Sequence, residues 1–221
     1  MPVRLLVHTR TTAYRHASIP AGVEALRTLG DFEVDHTEDP RALEQPLDAY
    51  AAVVFLSTSG EILTPAARER LAGYVEAGGG FVGVHAAACT EDDWPYYGEL
   101  LGARFDRHPD HQPGRVIVED HEHPATRHLP AVWDFVDEWY DFRTNPRGTV
   151  RVLARADESS YEGGGMGEDH PLVWCREQGA GRVFYTALGH APEAYADPGF
   201  RAHLRGGIDW AAGSATTRGS G

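Results

Sequence analysis

The sequence predicts an α/β protein built on a doubly wound, mostly parallel sheet with an antiparallel extension. Three observations carry that expectation. Between Val3 and Val84, short apolar runs without polar alternation, as strands covered on both faces require, alternate with helical or connecting segments. Those connections suit right-handed crossovers between parallel strands. In the second half, strand-like runs follow one another closely, and Gly179-Ala180-Gly181 between two of them reads as a hairpin turn.

Val3–Val7 is the first strand, and a polar loop over residues 9–16 leads to Ser18, a candidate N-cap with Pro20 in the tolerant first turn. Val23, Ala25, Leu26 and Leu29 then recur at helical spacing before Gly30. Phe32–Asp35 and Ala51–Leu56 read as the next strands. Thr64-Pro65 opens a helix with Leu71, Tyr74 and Val75 on one face, ended by the triple glycine at 78–80. Phe81–Val84 is the fourth strand. A short helix around Tyr97–Leu101 follows, then strands at Arg115–Val118, Trp133–Val136, Val150–Ala154, Leu172–Cys175 and Val183–Thr186, and a helix over Phe200–Trp210. No linker divides the chain, so residues 1–213 are expected to form a single domain, with 214–221 a disordered polar tail.

The formal charge of −13, from 33 acidic and 20 basic residues, disfavours nucleic acid and anionic membrane surfaces as partners. A small neutral molecule fits better, and a homo-oligomer is compatible with this composition. Two cysteines, Cys89 and Cys175, are too few for a disulfide framework, and the chain opens on a strand rather than a signal stretch, which favours the cytoplasm. No apolar run is long enough to span a bilayer.

Two histidines stand where apolar strands end: His85 in FVGVHAA and His190 in VFYTALGHAPE. Ligands of open α/β sheets bind beyond the carboxyl ends of the strands, so both positions point at a site.

The stretches YRHASIPAG, VVFLSTSGEIL, GGGFVGVHAAACTEDDWPYYGELLGARFDRHP, VEDHEHPAT, DEWYDFR, MGEDHPLVWC, GRVFYTALGHAPEAY and HLRGGIDWAAG, in order from Val3 to about Gly213, resemble the ThuA-like family linked to trehalose utilisation. The resemblance implies a flavodoxin-like fold similar to class I glutamine amidotransferases, with a nucleophile turn between a strand and a helix. In the amidotransferase pattern a cysteine follows the strand where this chain has His85, and a late strand ends in a His followed closely by Glu, here His190 and Glu193. The thiol nucleophile is therefore missing. Cys89, four residues on, is expected about one helical turn away and facing off the site, so glutamine hydrolysis through a thioester is not expected.

Imidazoles at neighbouring strand ends, joined by a carboxylate, can hold a divalent metal such as zinc with open positions for water or sugar oxygens. They can equally act directly as general acid and base. His85, His190 and Glu138 are the candidate catalytic residues, and His85, His190 and His16 the candidate metal ligands; His8 also stands at a strand end. No nucleotide cofactor is expected. Trp94, Tyr96, Trp139 and Tyr140 lie in loops rich in charged residues, the mixture that stacks on a pyranose face and holds its hydroxyls. Arg15, His16, Arg143, His170 and Glu193 complete the candidate sugar-binding set. Each has a structural alternative: His85 as a bonded histidine under a helix start, His190 as a turn cap, His16 as a loop brace, Glu138 as a partner of Arg143, the aromatics as plugs of the sheet ends. His108, His111, His121, His123 and His128 match no standard ligand spacing and read as surface or turn residues. The functional expectation is an enzyme acting on a (keto-)glucoside or trehalose-derived sugar; the alternatives are a noncatalytic sugar-binding module on a degenerate amidotransferase scaffold, and a glycoside hydrolase using Glu138 and Glu193.

Overall fold

The computed structural model describes residues 3–213. The first half gives β1 (Val3–His8), α1 (Ile19–Thr28), β2 (Phe32–Thr37), β3 (Ala52–Leu56), α2 (Pro65–Glu76) and β4 (Gly80–Val84). Then come α3 (Pro95–Leu101), β5 (Phe105–Arg107), β6 (Gln112–Val118), β7 (Val132–Asp137), β8 (Asp141–Phe142), β9 (Arg151–Asp157), β10 (Pro171–Gln178), β11 (Gly181–Thr186) and α4 (Pro198–Ala211). The tail expected at 214–221 lies outside the described residues.

One nine-stranded sheet, ordered β2-β1-β3-β4-β11-β10-β9-β6-β7, runs through the molecule. Its β2-β1-β3-β4-β11 portion is parallel, and β10, β9, β6 and β7 extend it by antiparallel pairs. Every residue of β3 and β4 is buried, which is why those segments carry no polar alternation. From β1 the chain winds to β2 on one side and to β3, β4 and β11 on the other, so right-handed crossovers distribute the helices over both faces.

Local chemistry explains the elements. Thr64 caps α2 through the Ala67 N–H, and Asp197 caps α4 through the Phe200 N–H, each with proline at the start of the helix. Ser18 departs from the expected cap. Its hydroxyl makes no bond within α1 and instead donates to the Gly189 carbonyl at 3.3 Å, tying the start of α1 to the loop after β11. The segments β5 and β8, which carry no strand signature in sequence, pair as a separate two-stranded ribbon.

The antiparallel extension does more than widen the sheet. Alternating directions from β11 through β10, β9 and β6 leave β7 running the same way as β11, so its carboxyl end emerges on the same edge. There the buried Asp137 carboxylate accepts the N–H groups of Gly189 at 2.7 Å and His190 at 3.1 Å. Strand ends four places apart in the ladder are thereby brought together, and the sheet curls around the place they share.

Candidate metal centre and sugar cavity

Three elements deliver histidines to that edge. His85 follows β4 directly and adopts φ 50°, a left-handed conformation uncommon for a residue with a side chain. That turn throws its ring across the ends of the strands, where Nδ1 lies 2.6 Å from the Ala187 carbonyl and the Tyr185 hydroxyl donates to the His85 carbonyl at 2.9 Å. A carbonyl can only accept, so Nδ1 carries the proton and Nε2 presents a lone pair. His16 comes from the loop between β1 and α1, and His190 from the loop after β11, where Gly189 at φ 115° makes the turn that a Cβ would strain. Glu138 follows Asp137 at the end of β7.

These four side chains converge. His16 Nε2 lies 3.1 Å from His85 Nε2, Glu138 Oε2 lies 2.9 Å from His190 Nδ1 and 3.6 Å from His85 Nε2, and one donor atom from each residue falls within 4.8 Å of all the others. Ligand atoms about 2.1 Å from a shared ion stand about 3.0–3.4 Å apart. The hydrogen bonding fits such an occupant. His16 Nδ1 is buried without a partner, and His190 Nδ1, though close to Glu138, is not aligned to hydrogen-bond it. The Ala187 carbonyl meanwhile fixes the tautomer of His85 as an outer partner does for a metal-binding imidazole. This donor set, three imidazoles and one carboxylate, can hold a divalent metal.

The electrostatics differ among the four residues. Burial, reinforced by His85 and His190, pushes His16 down to about 3, so it is a neutral ligand at neutral pH. Burial would raise Glu138, but His190 and His85 outweigh it and hold the carboxyl well below the usual range. Burial alone would lower His190; its contact with Glu138 raises it instead. The Tyr140 hydroxyl stands 2.9 Å from His85 Nε2, and burial raises it far above the ordinary phenol value, so it remains a donor.

A cavity of about 390 Å³ opens beside the cluster, within the range of small-molecule pockets. His16, Glu138 and Tyr140 line it, with Tyr14, Phe105 and His108. Cys89 lines it too, contrary to the expectation that it faces away. Its thiol is no nucleophile in waiting, because burial pushes it up to about 12.

The remaining sequence candidates are placed elsewhere. Arg15 is exposed and pairs with Glu38 at 2.6 Å, and Arg143 is exposed and pairs with Asp92 at 2.8 Å rather than with Glu138. Trp94 packs beside Tyr97 and under the Arg68 guanidinium, and the Tyr96 hydroxyl donates to Glu76 at the end of α2. Trp139 is fully buried, stacked on Tyr161, with its indole N–H donating to the Gln112 carbonyl. His170, expected at the cleft mouth, is fully buried between Glu158 at 2.8 Å and the Tyr140 carbonyl at 2.8 Å. Glu193 is exposed and belongs neither to the cluster nor to the cavity lining. His8 is buried against Phe55, outside the cluster.

Two histidines read from sequence as surface residues lie at the site. His108 Nε2 is 3.6 Å from Glu138 Oε2, and the His111 ring is 5.2 Å from that of His190. Neither spacing nor periodicity marks them, because both belong to the irregular stretch between β5 and β6. No sequence signal brings them to the site; the pairing of β5 with β8 does.

Five parallel strands continued by antiparallel ones, with helices between them and histidine at the turn after β4, define a mixed α/β protein. The ThuA family model, described as trehalose utilisation, matches residues 4–211, and the chain belongs to that family, whose role lies in carbohydrate metabolism. A ThuA-like protein from Parabacteroides merdae is similar at 25% identity and TM-score 0.82, covering 96% of this chain and 90% of that one. Another, from Bacteroides uniformis, shares 28% identity at TM-score 0.78, with 95% and 91% covered. A cytoplasmic protein from Salmonella typhimurium, 13% identical at TM-score 0.67 over 95% of this chain and 99% of its own, shares the fold. No curated protein sequence gives a significant match. Among the described residues, no helix is long and apolar enough to cross a membrane.

Proposed function

We propose that the chain is an enzyme acting on a glucoside or trehalose-derived sugar, in an oxidised keto form, at a divalent metal held by His16, His85, His190 and Glu138. The observation that carries the reading is the convergence of those four donor atoms within 4.8 Å, beside a cavity that His16 and Glu138 line. A bound cation would polarise a carbonyl oxygen or acidify a water molecule there.

The protein's own groups then have definite tasks. A keto group acidifies the adjacent C–H. Glu138 is ionised beside His190, and a carboxylate oxygen left free of the ion would receive that proton. The C–H electron pair moves onto the carbonyl oxygen, where the protonated Tyr140 hydroxyl donates a hydrogen bond to the developing enolate. If the hydroxyl proton of the deprotonated carbon shifts to the enolate oxygen, returning the abstracted proton to the former carbonyl carbon completes an isomerisation; breaking a C–O bond β to the carbonyl, with the leaving oxygen taking the abstracted proton, completes an elimination. Cys89 takes no part, since neither step needs a thiolate.

A second reading, a noncatalytic sugar-binding module, is favoured by one contact. The Tyr140 hydroxyl already sits on the lone pair of His85 Nε2, which would satisfy that atom without any ion. Elemental analysis of untagged protein, together with NMR of a panel of glucosides and their keto forms, separates the two. The enzyme reading requires about one divalent metal per chain and turnover of at least one keto-glucoside; saturable binding without metal or turnover supports the module.

A further inference from the structure

Folding leaves one aromatic ring at the cavity uncovered. Tyr14 is 67% exposed, whereas the other large apolar side chains with comparable exposure, Val132 and Val136, lie on the edge strand β7. The ring is not on a loose loop. Ser59 Oγ donates to the Tyr14 carbonyl at 2.6 Å, the Thr12 N–H donates to the Ser59 carbonyl at 2.9 Å, and Thr12 Oγ1 donates to the Glu61 carbonyl at 3.0 Å. One edge of the ring system meets His16, centroids 4.7 Å apart at 81°, so Tyr14 is fixed beside a candidate ligand. No hydrogen bond of its hydroxyl is found among the described residues. A pinned aromatic with a bare face is stabilised when something apolar covers it.

The rest of the cavity says what that something carries. Phe105 and His108 also line it, both packed on Tyr140, itself part of the lining. Where the cavity meets the cluster it offers imidazole lone pairs and the ionised carboxylate of Glu138, acceptors that take hydroxyl donors or a cation. A flat hydrocarbon would leave those groups unpaired. An anion would meet Glu138, and no lysine or arginine lines the cavity; Arg15 and Arg143 are already paired with Glu38 and Asp92. A neutral pyranose meets both demands, with a C–H face on one side and an oxygen-bearing edge.

We infer that Tyr14 is the stacking platform of this site and that its ligand is an unphosphorylated pyranose, lying with a C–H face on Tyr14 and its oxygen edge toward the His16–Glu138 end. The inference rests on the sugar reading above and adds the residue and the charge class.

Calorimetric titration of the full chain with methyl α-glucoside, its ring-oxidised keto form, trehalose and glucose 6-phosphate tests it. At least one neutral sugar is expected to bind, Tyr14→Phe to change its Kd by less than about twofold, and Tyr14→Ala to weaken it about tenfold with metal content and Tm unchanged. Tyr14→Ala binding as well as the unaltered protein would overturn the platform, and tighter binding of glucose 6-phosphate than of every neutral sugar would overturn the charge class. If the unaltered protein binds none of the four sugars, the sugar reading itself falls.

Discussion

The carboxylate of Asp137, the last residue of β7, accepts the backbone N–H of His190 at 3.1 Å. The same carboxylate takes the N–H groups of Gly189 and Glu138, so one buried group sets the positions of two of the four cluster residues. Burial raises its pKa even against three hydrogen bonds. Asp137→Ala would strand three buried or part-buried donors, each costing about 1–3 kcal/mol. We expect a loss of at least about 3 kcal/mol in urea unfolding, together with weakened metal uptake. Asp137→Asn keeps one acceptor oxygen and is expected to fall between. Unfolding midpoints unchanged in the alanine variant would show that the curl of the sheet does not depend on this link.

Metal removal should be visible in stability as well as in composition. A ligand present at about a hundred times its Kd adds about 2.7 kcal/mol to the folded state. Thermal scans of protein stripped with a chelator should therefore show a lower Tm, restored by zinc or a similar divalent ion, while His85→Ala, which removes the central imidazole, should show neither the stabilisation nor the bound metal. Identical scans for stripped and metal-supplemented protein would remove the cation from the mechanism.

How much of this was legible in the sequence depends on what each residue needed to be found. His85 and His190 end apolar strands, and that alone points to the sheet edge; the parallel half of the fold follows from the same runs. Glu138 and His16 could be nominated by residue type, but Glu138 meets His190 through the Asp137 link between strands four places apart, which no local pattern records. Trp139 looked like a sugar-stacking ring and is instead core, because Gly114 lacks the Cβ that would stand 2.5 Å from the indole. His170 likewise vanishes behind Tyr140 and Glu158. Tyr14, by contrast, drew no notice, since exposure of a single aromatic is a property of the folded loop and not of its sequence.

The cysteine at the cavity offers a direct check on the departure from thiol chemistry. Cys89 lines the cavity, yet burial holds its thiol up to about 12. At pH 8 the thiolate fraction is then roughly a thousandfold below that of an ordinary cysteine of pKa near 8.5. Alkylation by iodoacetamide, followed by mass spectrometry of the Cys89 peptide, should be slower than for a free thiol by at least two orders of magnitude and should accelerate only at strongly alkaline pH. Rapid, stoichiometric labelling at pH 7 would mean that the thiol is activated and that a covalent mechanism has been discarded too soon.

Acid sensitivity should come from buried histidines, His16 at the site and three others remote from it. His203 is fully buried, its Nδ1–H donating to the Ala125 carbonyl and its Nε2 accepting from the Thr186 hydroxyl, and burial pushes it down to about 3. His8 and His123, also buried, are each lowered to about 4, burial again being the main cause. All three are neutral in both folded and unfolded chains well above pH 6.5, so they impose no pH dependence there. Below that value the unfolded chain binds protons that the folded one refuses. Stability is therefore lost as pH falls from about 6.5 toward 4 for His8 and His123 and toward 3 for His203, approaching about 1.4 kcal/mol per pH unit for each group. Buried carboxyls with raised pKa, Asp137 and Asp141 among them, act in the opposite sense, so the test is a difference rather than a total. Urea unfolding at pH 7.5, 6 and 5 should give a shallower loss for His203→Asn than for the unaltered protein, even though the variant starts from lower stability. Parallel slopes in the two proteins would mean that His203 takes up its proton without opening the fold.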